Sequence, residues 1–136
     1  MNLPKVSIII TAYLPESKDY LDACIQSVKA LNYDHTQLEV ILVTPTWYKP
    51  EYEGCKTVHP CMGAYHNALS VNYGMNLASK DSKYLLLLND DVVLTRNSLI
   101  KMVHIAADNR VILGAVSNCD QHNFFNVDFP LGLNSR

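Results

Sequence analysis

Apolar runs and polar punctuation alternate along this chain in a way that predicts strands alternating with helices. Val6-Ser7-Ile8-Ile9-Ile10-Thr11 is rich in β-branched residues and predicts a first strand, closed by the turn signal at Pro15. From Ser17, a candidate helix cap, Leu21, Cys24, Ile25, Val28 and Leu31 recur at helical spacing, and that helix stops near Asn32. Leu38 to Val43 is a second apolar run, ended by Thr44 and Pro45. Strand, helix and strand in this order make a right-handed βαβ unit.

The middle of the chain is less regular. Thr46 to Gly54 reads as a loop carrying Trp47, Tyr48 and Tyr52, expected to fold down onto the domain rather than to present a binding surface. Lys56 to His59 predicts a short third strand. A parallel third strand normally needs a crossover of a dozen or more residues, and the space here is shorter, so this connection is the weakest part of the topology. Gly63 to Ser79 predicts a second helix, with Leu69, Tyr73 and Leu77 on its apolar face and Gly74 allowing close approach to a neighbour. Lys80-Asp81-Ser82 is the turn that follows.

Tyr84-Leu85-Leu86-Leu87-Leu88 then runs without polar alternation into Asn89-Asp90-Asp91. The run predicts a strand buried on both faces in the middle of a parallel sheet. The acids fall where that strand ends, and ligand sites in open α/β sheets lie just beyond the carboxyl ends of strands. Adjacent carboxylates repel, and a hard divalent cation with oxygen ligands would compensate them. The plain alternative is a solvated turn, for which Asp and Asn are ordinary residues. Leu99, Met102, Val103 and Ala106 predict a third helix, Val111 to Val116 another strand, and Asn118 to Arg136 has no clear period. No repeat, low-complexity tract or linker divides residues 1–136, which are expected to form one domain.

Composition narrows the function classes. Hydrophobic residues make up 49% of the chain, which excludes a disordered segment. A net charge of -2 gives no reason to expect nucleic acid or an anionic membrane as partner. No apolar segment has the length of a transmembrane span, and the start shows no secretory pattern. Cys24, Cys55, Cys61 and Cys119 are scattered, and they read as reduced thiols in a cytoplasmic protein without a disulfide framework. Cys55, His59, Cys61 and His66 are zinc-ligand types, but their spacings do not match the usual paired loops, and they are read as ordinary loop and strand residues.

Four pieces, taken together and in order, resemble the family-two glycosyltransferases, a GT-A-fold group that uses nucleotide-diphosphate sugars. Val6 to Tyr13 resembles the family's opening strand, and Asn72-Tyr73-Gly74-Met75-Asn76-Leu77-Ala78 its Asn-x-Gly-Ile-x-x-Ala helix segment. Asn89-Asp90-Asp91-Val92 is similar to its Asp-x-Asp-type metal motif, in the variant beginning with Asn. Leu113-Gly114-Ala115-Val116 is similar to the strand after it. The resemblance implies a three-layer α/β/α, Rossmann-like GT-A domain with a mostly parallel sheet, of which this chain is the donor-binding half, a truncated form.

It also implies roles. Thr11 and Tyr13 would lie against base and ribose, Asn72 near the nucleotide, and His66 at a position that is often basic. Asp91 would bind a Mn²⁺ or Mg²⁺ ion bridging the two phosphates, with Asn89 and Asp90 toward the ribose or sugar. Thr44 stands where the family usually has a base-contacting acid, so a carboxylate reading of uracil is not expected. The implied function is metal-assisted transfer of a sugar from a nucleotide-diphosphate donor to an unknown acceptor. The alternative is a donor-half nucleotide-binding module without transferase activity of its own. The general base of inverting members lies downstream of the metal motif. Asp120 and Asp128 lie past the following helix, and neither is assigned that role. A homodimer through exposed apolar surface is a further expectation.

Other classes fit less well. A nucleotidyltransferase needs a Gly-rich phosphate loop, and Thr11-Ala12-Tyr13-Leu14-Pro15 has no glycine. No G-x-G-x-x-G follows any strand, against a dinucleotide-binding enzyme. A scaffold role would leave Asn89-Asp90-Asp91 without a task.

Overall fold

The computed structural model describes residues 2–60, 67–107 and 113. The chain divides into two compact units, residues 1–100 and 101–136. The first holds the whole described sheet. Its elements are β1 (Val6–Thr11), α1 (Lys18–Lys29), β2 (Leu38–Val43), β3 (Cys55–Val58), α2 (Asn67–Leu77) and β4 (Tyr84–Asn89). The helix α3 (Ser98–Ala107) begins in the first unit and ends in the second, with Leu99 and Val103 buried. The second unit is otherwise described only at Leu113, which is in neither helix nor strand. The strand expected over 111–116 lies, apart from that residue, outside the described residues, as do the tail and the start of the second helix, Gly63 to His66. Among the described residues no helix is long and apolar enough to cross a membrane.

The sheet is parallel throughout and ordered β3-β2-β1-β4. This is the α/β architecture that the hydrophobic runs predict. β1 lies inside it because Val6 and Ile8 to Ile10 are apolar on both faces, and every residue of the strand is buried. Each fully buried aliphatic side chain contributes roughly 1.5–3 kcal/mol relative to exposure.

The two crossovers run in opposite directions across the sheet. The chain leaves β1 through α1 to β2, and leaves β3 through α2 back past β1 to β4. Right-handed crossovers in opposite directions place α1 and α2 on opposite faces, which makes three layers. α1 buries Leu21, Cys24, Ile25 and Val28. Gly74 of α2 lies directly over Ile9 and Val43, and Ala78 just after α2 packs with Ile9, Ile41 and Val43.

Several expectations need correction. Ser17 stands at the N-cap of α1, but its side chain makes no capping bond, because a 3₁₀ turn at Pro15–Ser17 leads into the helix instead. The third strand is Cys55–Val58, one residue earlier than expected. It follows β2 in parallel through the helix-free loop 44–54, closed by Gly54 at φ 80°, a conformation that suits glycine. In that loop Tyr48 is buried and Tyr52 bonds to Asp22 of α1, whereas Trp47 is exposed.

Two corrections share one cause. The buried stripe of α2 is not Leu69 and Tyr73, which are 54% and 39% exposed, but the small residues Ser70 and Gly74, continued by Ala78. These let the helix backbone settle on β1 and β2. Among the described residues β4 therefore has no helix over the face it shares with Ile9. It ends the described sheet, and Leu85 and Leu87 are 42% and 48% exposed rather than buried.

At the amino end of the sheet a polar network ties three elements together. Ser7 Oγ donates to Glu39 Oε1 at 2.6 Å, and the Ser79 amide donates to the same oxygen at 2.9 Å. Lys5 Nζ donates to Ser79 Oγ at 3.1 Å and pairs with Asp81 at 3.3 Å. The opposite, carboxyl end is left for the site.

Candidate functional site

The sheet order fixes where a ligand site belongs. β1 connects to β2 on one side and has β4 on the other, so the chain's direction of travel switches between β1 and β4. Loops leaving two such strands diverge to opposite faces and open a crevice at their carboxyl ends. A cleft of about 670 Å³ lies there. Thr11, Tyr13, Leu14, Ser17 and Tyr20 line it from the β1 side, Asn89, Asp90 and Asp91 from the β4 side, and Asn67 from the first residue of α2. That volume suits a small-molecule ligand.

The acid-bearing turn is held from below by α1. Cys24 Sγ donates to the Asn89 carbonyl at 3.7 Å, and the Leu94 amide donates to Ser27 Oγ at 3.0 Å. Past the end of α1, the Asn32 amide donates to the Arg96 carbonyl at 2.8 Å. Ser27, itself buried, also donates to the Cys24 carbonyl at 2.7 Å. The helix thus fixes the backbone on both sides of Asp90 and Asp91.

The electrostatics of that turn are unfavourable as it stands. Burial raises the Asp90 carboxyl above its ordinary range, and the charge of Asp91 raises it further. Burial pushes the Cys24 thiol up to about 12, with Asp90 and Asp91 adding to the shift. Neither acid forms an ion pair among the described residues. Among those residues, too, no group of three or more His, Cys, Asp or Glu could by itself hold a metal. Two adjacent carboxylates with no paired cation among the described residues could hold a hard divalent ion of the Mg²⁺ or Mn²⁺ kind, which takes one or two carboxylates and completes its shell with ligand phosphates and water.

The residues singled out in the sequence divide as follows. Thr11, Tyr13, Asn89, Asp90 and Asp91 come together around the cleft. Thr11 Oγ1 donates to Asn67 Oδ1 at 3.5 Å, a long contact that joins β1 to α2 across the cleft floor. Asn72 is exposed on α2 and does not line the cleft. Thr44 does not line it either. It is buried at the end of β2 and engages His59. His66 lies outside the described residues.

Leu14, Ser17, Tyr20 and Asn67 also line the cleft, although their sequence context assigned none of them to the site. Asn67 was legible in principle, as a polar residue near the start of the helix that crosses to β4.

No protein-family model matches this chain, and no curated protein matches it by sequence. Solved structures do. The crystal structure of S. aureus TarS is similar to it with a TM-score of 0.63 at 15% identity, over 76% of this chain and 20% of that one. A structure of S. aureus TarS 1-349 gives 0.64 at 14%, over 78% of this chain and 33% of that one. The same TarS segment in complex with UDP gives 0.59 at 15%, over 78% and 33%. The chain therefore spans a third or less of the length of these structures. At such identities the likeness establishes the fold, a parallel α/β sheet with flanking helices of the GT-A kind.

Proposed function

We propose that this chain binds a nucleotide-diphosphate sugar and serves as the donor-binding part of a glycosyltransferase. The observation that carries the reading is the placing of Thr11 and Tyr13 opposite Asn89, Asp90 and Asp91 at the switch point of the sheet. The aromatic face of Tyr13 offers a stacking surface for the nucleoside. Asp91, with Asp90 beside it, would hold a Mn²⁺ or Mg²⁺ ion against the diphosphate. Such an ion neutralises the charge that builds on a diphosphate leaving group as a sugar departs. Support comes from the fold likeness to TarS, one structure of which is a complex with UDP.

In this reading the residues of the chain position rather than react. α1 fixes the acidic turn through Cys24 and Ser27, so the carboxylates are arranged before the donor arrives. Asn67 and Thr11 close the floor and offer polar contacts to ribose or sugar hydroxyls.

The second reading is a binding module that holds the donor without transferring from it. The observation favouring it is that, among the described residues, Asp90 and Asp91 are the only acids lining the cleft, so a metal held there would leave no carboxylate to act as the base. Incubation of the purified chain with Mn²⁺ and UDP-hexoses separates the two. Release of UDP above the uncatalysed rate supports the enzyme. Saturable binding with no release supports the module. Absence of binding to any of UDP, GDP and dTDP, with or without Mn²⁺, contradicts both.

A further inference from the structure

Beyond the cleft, the carboxyl edge of the sheet holds one buried side chain committed to positioning a part-exposed one. Thr44 follows β2 directly and is 1% exposed. Its amide donates to the Val58 carbonyl at 3.0 Å, and its Oγ1 lies 2.8 Å from Nδ1 of His59. His59 follows β3 directly and remains partly exposed. The Thr44 hydroxyl has no other partner among the described residues.

Among the described residues that pairing favours one placement of the proton. If Nδ1 carried a hydrogen, the buried hydroxyl proton would have no acceptor among them, a loss buried polar groups rarely tolerate. The arrangement that satisfies both groups has Thr44 donating to Nδ1. A neutral imidazole with Nδ1 as acceptor carries its hydrogen on Nε2. Nε2 of His59, for which no bond is seen among the described residues, is then a hydrogen-bond donor.

Its place along the edge matters. In the order β3-β2-β1-β4, His59 ends one side and the acids end the other. Three inter-strand steps of ~4.8 Å separate them by roughly 14 Å. An extended nucleoside diphosphate has comparable reach. Laid along that edge with its phosphates at Asp90 and Asp91 and its ribose beside Thr11 and Tyr13, it would carry its base past the cleft, over β2 toward β3.

We infer that His59, held by Thr44, determines base specificity by donating Nε2–H to a ring carbonyl, so that the site prefers an oxo base to an amino base. This rests on the donor-binding reading above. Uracil and cytosine make the test pair, because they differ at ring position 4, a carbonyl oxygen in one and an amino group in the other. A donor at that position gains a hydrogen bond with uracil and faces another donor with cytosine. The pair Thr44–His59 then does by donation what a carboxylate at the end of β2 would do by acceptance.

The experiment is calorimetric titration of UDP and CDP in Mn²⁺ on the wild type, His59→Ala, His59→Gln and Thr44→Val, with circular dichroism to verify folding. The wild type is expected to prefer UDP by about five- to tenfold, the scale of one such bond. His59→Ala brings the ratio close to one while binding remains Mn²⁺-dependent. His59→Gln, which keeps an N–H donor, restores part of the preference, and Thr44→Val lowers it by freeing the ring. A wild type that binds both nucleotides alike, or prefers CDP, overturns the inference and leaves the donor site standing. So does a His59→Ala variant that weakens both equally. A wild type that binds neither nucleotide removes the donor-site reading itself, and the base preference with it.

Discussion

A β-carbon at Gly74 would stand 2.6 Å from Ile9 Cγ2 and 2.9 Å from Val43 Cγ2. Both neighbours are fully buried in the sheet, so neither can move aside without disturbing the strands. Gly74→Ala therefore forces α2 away from β1 and β2. The expected cost is about 1–3 kcal/mol, the usual range for overpacking a core. Urea unfolding monitored by circular dichroism measures it. A variant as stable as the wild type would mean that α2 does not seat on Ile9 as described.

Glu39 gives a prediction about acid. Burial acts to raise its carboxyl, but the bonds from Ser7 and the Ser79 amide, with Lys5 and Lys56 nearby, outweigh that and hold it below its ordinary value. A carboxylate lowered on folding stabilises the protein above its unfolded pKa, and the contribution is lost as pH falls through the folded one. Stability should thus decline from near the ordinary glutamate range downward. Glu39→Gln, which keeps an acceptor for both donors, should show a flatter decline over that window. Thermal melts at successive pH values test this, and identical slopes in both proteins would refute it.

The acidic turn predicts its own titration. Burial is the larger cause of the raised Asp90 carboxyl, and Asp91 the smaller. In Asp91→Asn the Asp90 carboxyl should titrate lower than in the wild type yet remain above the ordinary aspartate value. Carboxyl-carbon NMR across the acid range reads it directly. A full return to the ordinary value would make the neighbour's charge the main cause and burial the minor one.

Cys24 should be inert. It is wholly buried, and its thiol is pushed up to about 12, so almost no thiolate exists near neutral pH. Mass spectrometry after brief iodoacetamide treatment should find Cys24 unmodified in the native protein and alkylated in urea. Prompt native labelling would show that α1 opens readily beneath the acidic turn.

Much of this fold is legible in the hydrophobic pattern, because its strands are continuous apolar runs and α1 keeps a clean helical period. The order of elements and the direction of the sheet follow from that. What covers each run does not. Tyr84 to Leu88 looks like a central strand by composition, yet Leu85 and Leu87 are exposed because α2 sits over β1 and β2. The clue lay in spacing. Ser70, Gly74 and Ala78 recur every four residues, a stripe of small side chains that draws a helix close, and the larger Leu69 and Tyr73 masked it. The cleft was half legible. Asn89-Asp90-Asp91 stands out at a strand end, and Thr11 and Tyr13 follow from the opening strand. The Thr44–His59 pair does not, since its members are fifteen residues apart and meet only because β2 and β3 lie in parallel register.

If the cleft between β1 and β4 binds a nucleotide diphosphate through a metal held at Asp91, as proposed, nucleotide affinity must depend on both the ion and that carboxylate. Calorimetric titration of UDP with and without Mn²⁺, on the wild type and on Asp91→Ala, tests it most directly. UDP is expected to bind the wild type saturably and at least tenfold more strongly with Mn²⁺. In Asp91→Ala that metal-dependent gain should be lost while the fold is retained. Binding of equal strength in both proteins, or no binding to the folded wild type in either condition, would contradict the proposal.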